Sequence, residues 1–512
     1  MYQFSGKIKV FSIALVLVGA LGIAWGFLSA PSDLKETKEI IARQAAHGDH
    51  HGGGHGDATH ATEGKEDHGT KEAHHEEKKG HDDHASEEHK DSIKEGAAHH
   101  DAHDAKKDGH AKDGHGKEGH HGDAHDADHH AEHVMHQLQN RPWASLYVAL
   151  LFFLGVTLLV LAFYAAQRVA QAGWSVVLFR VMEAITANLV PTSIIMIVLI
   201  VLTGMHSNHI FTWMGEGVMD KTSDNFDSIV YGKRLWLNVP GWMIRGIIYL
   251  IGWNVYRWWI RKNSILEDKG DLKVFKRNYN ASVIFLVFFM ITESMATWDW
   301  IMGIDPHWFS TLFGWYVLAT FLVSAVTIIA FVTMYLRHKG YLPKVNDSHI
   351  HDLAKFMFGF SVFWTYLFFA QFMLIWYANI PEEGTYFLFR FEEYKVLFFT
   401  MLAMNFAFPV LLLVNSDFKS RPWFVFIGGI VILIGHYIDL FVMIMPGTVG
   451  ASWSFGIPEL GALFFFSGVF IYAVFSSFAK ADPVAKGNPF LKESEHFHYY
   501  NIEHHSGGDN HH

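Results

Sequence analysis

The sequence predicts an all-α integral membrane protein of about ten transmembrane helices. Three observations carry that expectation. Half of the 512 residues are hydrophobic and 15% are aromatic, too apolar a mixture for an ordinary soluble chain of this length. Charge is segregated, with most Asp, Glu, Lys and His crowded into residues 33–139, so the formal net charge of −11 describes that stretch more than the remainder. Elsewhere, mostly apolar runs of about 20 residues recur, the length that crosses a bilayer as a helix.

Taken in order, those runs are 10–30, 144–166, 188–210, 238–260, 279–302, 312–336, 353–377, 395–414, 422–445 and 457–478. The first follows Lys7 and Lys9 in the manner of a signal peptide, with Val10–Ala24 as its apolar part. Its extension through Ala30 favours a retained anchor, residues 1–30. Residues 31–139 form a long insertion, typified by "GHHGDAHDADHHAEH" (119–133), which contains 23 of the 36 histidines. With almost nothing to build a core it is expected to be disordered. Its imidazoles, among them His120, His121, His125, His129 and His130, could bind divalent metal weakly or buffer near pH 6.5, and a solvated spacer is the simpler reading. Residues 140–480 make a nine-span core, and 481–512 a cytoplasmic tail.

Lys and Arg bias orients the spans. With the N-terminus inside, the inner segments hold 19 basic residues and the short outer loops 5, so both termini are expected in the cytoplasm and the histidine-rich insertion outside. The segment "GWSVVLFRVMEAITANLVP" ahead of the third span reads as an amphipathic helix on the inner surface, with Arg180 and Glu183 three apart and able to pair. Aromatics near span ends, as in "GWNVYRWW" and "FGWYVLA", read as interfacial belts.

Two stretches repeat a pattern: "DWIMGIDP" (299–306) and "DLFVMIMP" (439–446) each place an aspartate in an apolar run with a proline seven positions later. They end the fifth and ninth spans. Two four-helix bundles, spans 2–5 and 6–9, with one flanking helix at each end, would make those positions equivalent.

Ionisable groups within spans are costly, about 2.5–3.5 kcal/mol on insertion scales, and call for partners or a role. The fifth span carries Glu293 and Asp299, which six residues of helix place on different faces. In the ninth, His436 and Asp439 share a face and could hydrogen-bond or relay a proton. Glu459 opens the tenth span, and Glu183, Asp352 and Lys355 are candidate uptake groups on the inner side. Glu293, Asp299, His436, Asp439, Glu459 and Glu183 thus form a candidate proton path, and His436, Asp439 and Glu293 are candidate quinone contacts. Arg245 should snorkel or pair with an acid. Zero cysteines exclude a disulfide framework, thiolate-held clusters and covalent c-type haem in this chain, and His206, His209 and His436 are the only deep histidines for a b-type haem.

The stretches "ITESMATWDWIMGIDPHWFSTLFGWY" (291–316) and "FWTYLFFAQFMLIWYANIPEEGTYF" (363–387), with the H-Y-I-D of 436–439, resemble the F subunit of alternative complex III, a bacterial quinol:cytochrome c oxidoreductase, within the polysulfide-reductase-like (NrfD-like) membrane family. The resemblance covers roughly residues 140–480. It implies a cofactor-free subunit of two four-helix bundles in the bacterial inner membrane, with the histidine-rich loop in the periplasm. It also implies menaquinol or another quinol as substrate of the whole complex. The implied partners are multihaem and monohaem cytochromes c, an iron–sulfur subunit, a homologous C membrane subunit to which quinol oxidation is mainly assigned, the lipid bilayer and a terminal oxidase, with no nucleic acid. Proton conduction or quinone-site architecture would be its contribution, carried at Glu293, Asp299, His436 and Asp439. Two rivals stand beside this reading: a purely structural anchor, and a divalent-metal transporter with a histidine-rich loop.

Overall fold

The computed structural model describes residues 2–48 and 122–499. Residues 49–121, with His120 and His121, lie outside the described residues, as do the side chains of His125, His129 and His130. Among the described residues all regular structure is helical. Among the described residues nine helical segments are long and apolar enough to cross a membrane: Gly6–Leu28, Val134–Val169, Gly173–Gly204, Leu272–Ile304, Phe313–His338, Asp347–Ala378, Lys395–Leu413, Pro422–Val449 and Ile457–Phe478.

The chain runs through α1 (Gly6–Leu28), α2 (Leu34–Gly48), α3 (Gly122–Val169), α4 (Phe179–Ile185), α5 (Leu189–Gly204), α6 (Ser228–Gly232), α7 (Val239–Glu267), α8 (Leu272–Trp300) and α9 (Phe313–His338). It continues through α10 (Asp347–Ala378), α11 (Pro381–Glu393), α12 (Lys395–Leu402), α13 (Phe408–Leu413), α14 (Ser416–Ser420), α15 (Pro422–Val449), α16 (Ile457–Phe478) and α17 (Leu491–Glu495). Local chemistry sets the ends. Asn238 caps α7 by accepting from the Gly241 N–H, Asp271 caps α8 through Lys273, and Asn346 with His349 forms a reciprocal cap on α10. Asn379, left-handed at φ 49°, stops α10, and Pro381 opens α11.

Sequence and structure part at four places. The run expected over 238–260 forms α7, 29 residues long, but it is not among the nine. Its Trp, Asn and Arg dilute an otherwise spanning helix, and it still packs along α8. Paired contacts from Trp242 with Asp299 through Trp253 with Thr292 to Tyr256 with Ser282 run in opposite chain directions, so the two helices are antiparallel. The segment before α5 does not lie on a surface. It forms a 3-10 turn, Gly173–Leu178, and then α4, every residue of which is buried, Arg180 and Glu183 included. Disorder over 31–139 fails at both edges, where α2 and the first turns of α3 are helical. Finally, the belt reading suits Trp258 and Trp315, which are exposed, but not Trp253, Tyr256 and Tyr316, which are buried and hydrogen-bonded inside.

α3 is the most enclosed segment, with 94% of its most apolar stretch buried. Its Phe153 stacks on Phe466 of α16, Phe152 meets Tyr437 of α15, and its Tyr147 donates to the Trp300 carbonyl at the end of α8. α9 packs antiparallel to both α10 and α15: Tyr316 and Thr320 reach Trp364 and Asp439, while Thr327 and Phe331 lie against Gly429. α1 packs antiparallel to α16 through glycine. Gly22 and Gly461 meet backbone to backbone, so close that a Cβ on Gly461 would sit 2.8 Å from Gly22. The two acid-to-proline stretches diverge, since α8 breaks into the 3-10 turn Met302–Ile304 whereas α15 continues through Pro446. Their ends nevertheless touch, Ile304 packing on Gly447.

After α16 the chain folds back across the helix ends. Asn488 donates to Glu267, the Ser494 hydroxyl donates to the Trp174 carbonyl and accepts from the Val177 N–H, and Nε2 of His349 pairs with the Ser494 carbonyl. Asn346 donates to the Phe497 carbonyl, and the Tyr499 N–H reaches Ser348.

Candidate functional site

The membrane-depth acids sort into two groups by what neutralises them. Asp299, near the end of α8 and 1% exposed, is gripped by Arg245 of α7, whose Nε lies 2.9 Å from Oδ2 and whose Nη2 lies 2.6 Å from Oδ1. Tyr249 adds a hydroxyl at 3.0 Å, and Trp242 caps the Asp299 carbonyl at 2.9 Å. Arg245 therefore has the acid partner that spacing alone could not name. Glu459, at the start of α16, receives Arg141 at 2.8 and 3.0 Å, Ser145 at 2.9 Å and the Gly456 N–H at 2.8 Å. Glu183 accepts from Arg180 at 2.8 Å, Tyr164 at 2.7 Å, Ser264 at 2.5 Å and also Arg261. It belongs to a larger buried network in which Arg168 pairs with Glu267 at 2.9 Å and Arg180 with Asp268 at 2.6 Å. These three acids are counter-ions to arginine. Removing a proton carrier's charge would break each pair, which makes them poor shuttles and good struts.

Glu293 and Asp439 differ. Glu293 is 4% exposed; its Oε1 accepts only from Thr297 at 3.4 Å, and its Oε2 has no hydrogen-bond partner. It borders a small void walled by Leu151, Leu154, Gly155, Trp253, Trp300 and Phe321. Asp439, 1% exposed, is held by neutral donors alone: Thr320 Oγ1 at 2.8 Å, Trp364 Nε1 at 3.0 Å and the Tyr316 hydroxyl. His436 does share its face, as the three-residue spacing requires, but the Nδ1 to Oδ2 distance of 3.7 Å exceeds a hydrogen bond. The imidazole meets Trp364 edge-on, and neither ring nitrogen has a partner. A carboxyl with no adjacent cation can take or give a proton without dissolving an ion pair, so Glu293 and the Asp439 group are where proton chemistry is least hindered.

Several contributors were missed by sequence reasoning. Tyr316, Thr320 and Trp364 build the Asp439 cradle. Asn405 sits in a π-helical turn, Ala403–Ala407, between α12 and α13, fully buried and with both amide atoms unpartnered; its side chain lies against Gly435, next to His436. π turns of this kind often mark functional positions. A second small void adjoins Asp439 and is lined by Tyr316, Gln371, Tyr386 and Arg390. Arg390 is 4% exposed and donates only to the carbonyls of Tyr386, Val442 and Met443, and Gln371 Oε1 is unpartnered. The available signal was a lone amide in an apolar run, as at Asn405 and Gln371.

The remaining candidates lie apart. Asp352 pairs with Lys355 at 2.9 Å. Glu293 and Asp439 border different cavities and so do not build one quinone pocket; α9 touches both, through Phe321 and Thr320. The deep histidines do not face each other. Asn140 bonds both His209 and the Thr448 carbonyl, and Thr448 is 12 residues along α15 from His436, about 18 Å by helical rise. Among the described residues no cluster of three His, Asp or Glu side chains is placed to hold a metal ion. No family model and no curated protein matches the chain.

Proposed function

We propose that this chain is a cofactor-free membrane subunit of a respiratory quinol:cytochrome c oxidoreductase of the alternative complex III kind, and that Glu293 and the Asp439–His436 pair handle protons while electrons move in partner subunits. In this reading α3, α5, α7 and α8 form one bundle, α9, α10, the α12–α13 helix and α15 the other, and α1 and α16 flank them with both termini cytoplasmic. The single observation that carries it is the asymmetry among buried acids. Glu183, Asp299 and Glu459 are each tied to arginine, whereas among the described residues Glu293 and Asp439 pair with no arginine or lysine. A purely structural anchor would gain nothing by leaving those two unneutralised at membrane depth. Partners would supply c-type haem and iron–sulfur clusters, in keeping with the lack of cysteine here.

The test has two stages. The tagged chain, gently solubilised, should bring down c-type haem and quinol:cytochrome c activity. In that preparation Asp439→Asn and Glu293→Gln should lower protons moved per electron at unchanged haem content, and Asp299→Asn should leave that ratio unchanged. A chain that purifies alone and haem-free, or stoichiometry untouched in both carboxyl variants, would overturn the proposal.

A further inference from the structure

A groove between the last turns of α7 and α16 meets the acid sites only through Arg261. It is lined by Arg257, Arg261, Lys262 and Lys480 with Trp258 and Tyr472, and among the described residues no acidic side chain lines it. Arg261 is engaged, donating to Glu183 and to the Ser477 carbonyl. Arg257 is not: it is half-buried, its Nε is enclosed, and that Nε has no hydrogen-bond partner. A guanidinium nitrogen shut away from water without an acceptor is costly, and an anionic oxygen is what would satisfy it.

A second observation says what carries the anion. From the groove toward the middle of α7 runs a stripe of exposed apolar side chains, Val255, Ile251, Ile248 and Ile244, each more than half exposed and spaced three and four apart on one helical face. Trp258, 60% exposed, stands where stripe and groove join, with Lys262 Nζ 5.3 Å above its ring. Cations and an indole near the end of a 29-residue helix, continuous with an exposed apolar track, match the headgroup and acyl regions of one amphiphile.

We propose that this groove is a binding site for an acidic phospholipid, its phosphate held by Arg257, Lys262 and Lys480 and its acyl chains laid along the Ile244–Val255 stripe. The proposal needs only that α7 and α16 cross a bilayer, and it stands apart from the respiratory reading. Each cation near an anionic headgroup contributes about fivefold in affinity. Arg257→Gln/Lys480→Gln should therefore weaken binding about 25-fold.

The experiment is native mass spectrometry of the full-length chain in detergent, titrated with cardiolipin, phosphatidylglycerol or phosphatidylcholine, with inorganic phosphate as competitor. Retention of the acidic lipids over phosphatidylcholine by the wild-type chain, lost in the double variant and kept in Lys273→Gln/Lys276→Gln, is the expected result. Equal loss in that second variant would reduce the effect to general surface charge and overturn the site. Displacement by millimolar inorganic phosphate would show a free-anion site and overturn the lipid assignment. Lys480→Gln alone, a change at an exposed side chain, should weaken binding about fivefold and keeps the test decisive if the double variant folds poorly.

Discussion

Arg245→Met isolates the difference between a strut and a shuttle. The change keeps the aliphatic stem and removes the guanidinium, leaving Asp299, 1% exposed, with neutral donors such as Tyr249 at 3.0 Å in place of its cation. Breaking a buried ion pair by deleting one member costs about 3–5 kcal/mol. The lower end applies, because the Arg245 side chain is 17% exposed and the stranded carboxyl can take up a proton. Loss of the guanidinium over Trp236, at 4.2 Å from the ring centre, adds up to about 1 kcal/mol, for a total near 4 kcal/mol. Arg245→Met/Asp299→Asn should recover part of this, since no buried charge is then left alone, with a coupling of at least about 1.5 kcal/mol in the double-mutant cycle. Reversible unfolding in mixed micelles with increasing SDS, followed by tryptophan fluorescence, reads these values. A loss below about 1 kcal/mol in Arg245→Met, or strict additivity in the double variant, would refute the view that Asp299 is a fixed counter-ion.

Two further outcomes follow from the packing and the loops. Gly461→Val should drive α1 off α16, because the new side chain would collide with the Gly22 backbone; protease access to residues 29–33 should rise while the fluorescence of the remaining core stays near wild type. Burial, with His136 and His206 nearby, lowers the pKa of His209 in the loop after α5. The unfolded chain takes that proton near pH 6.5 and the folded loop only at lower pH, so this contribution is complete above about pH 6.5 and is lost as pH falls below it. Protection factors at residues 207–211, taken against intrinsic exchange at each pH, should accordingly fall between pH 6.5 and 5, and His209→Gln should flatten the trend.

The positions of the spans were legible because hydrocarbon length is written directly into the chain: the expected 312–336 and 457–478 became Phe313–His338 and Ile457–Phe478. Neighbours were not. Helical period assigns a residue to a face but says nothing of which helix that face meets, so Arg245 and Asp299, 54 positions apart, could not be joined. The 173–188 segment misled for a related reason. Its polar face looked made for water, but it meets Tyr164, Arg261, Ser264 and Asp268 instead, a buried polar set assembled from α3 and the far end of α7. Tyr316 was hidden among aromatics whose composition suggests a membrane interface, and only its hydroxyl's aim at Asp439 sets it apart.

The strand of contacts that follows α16 bears on how the protein is made. Helices can enter the bilayer one after another as they are synthesised, N-terminal parts first. Ser494, however, ties to Trp174 and Val177 on one side and to His349 on the other, and Asn488 reaches Glu267. These anchors, more than 300 positions apart in the chain for Trp174 and Ser494, cannot be fastened until residues 488–499 have emerged. Helix insertion and the fastening of these helix ends are thus separate events in biogenesis.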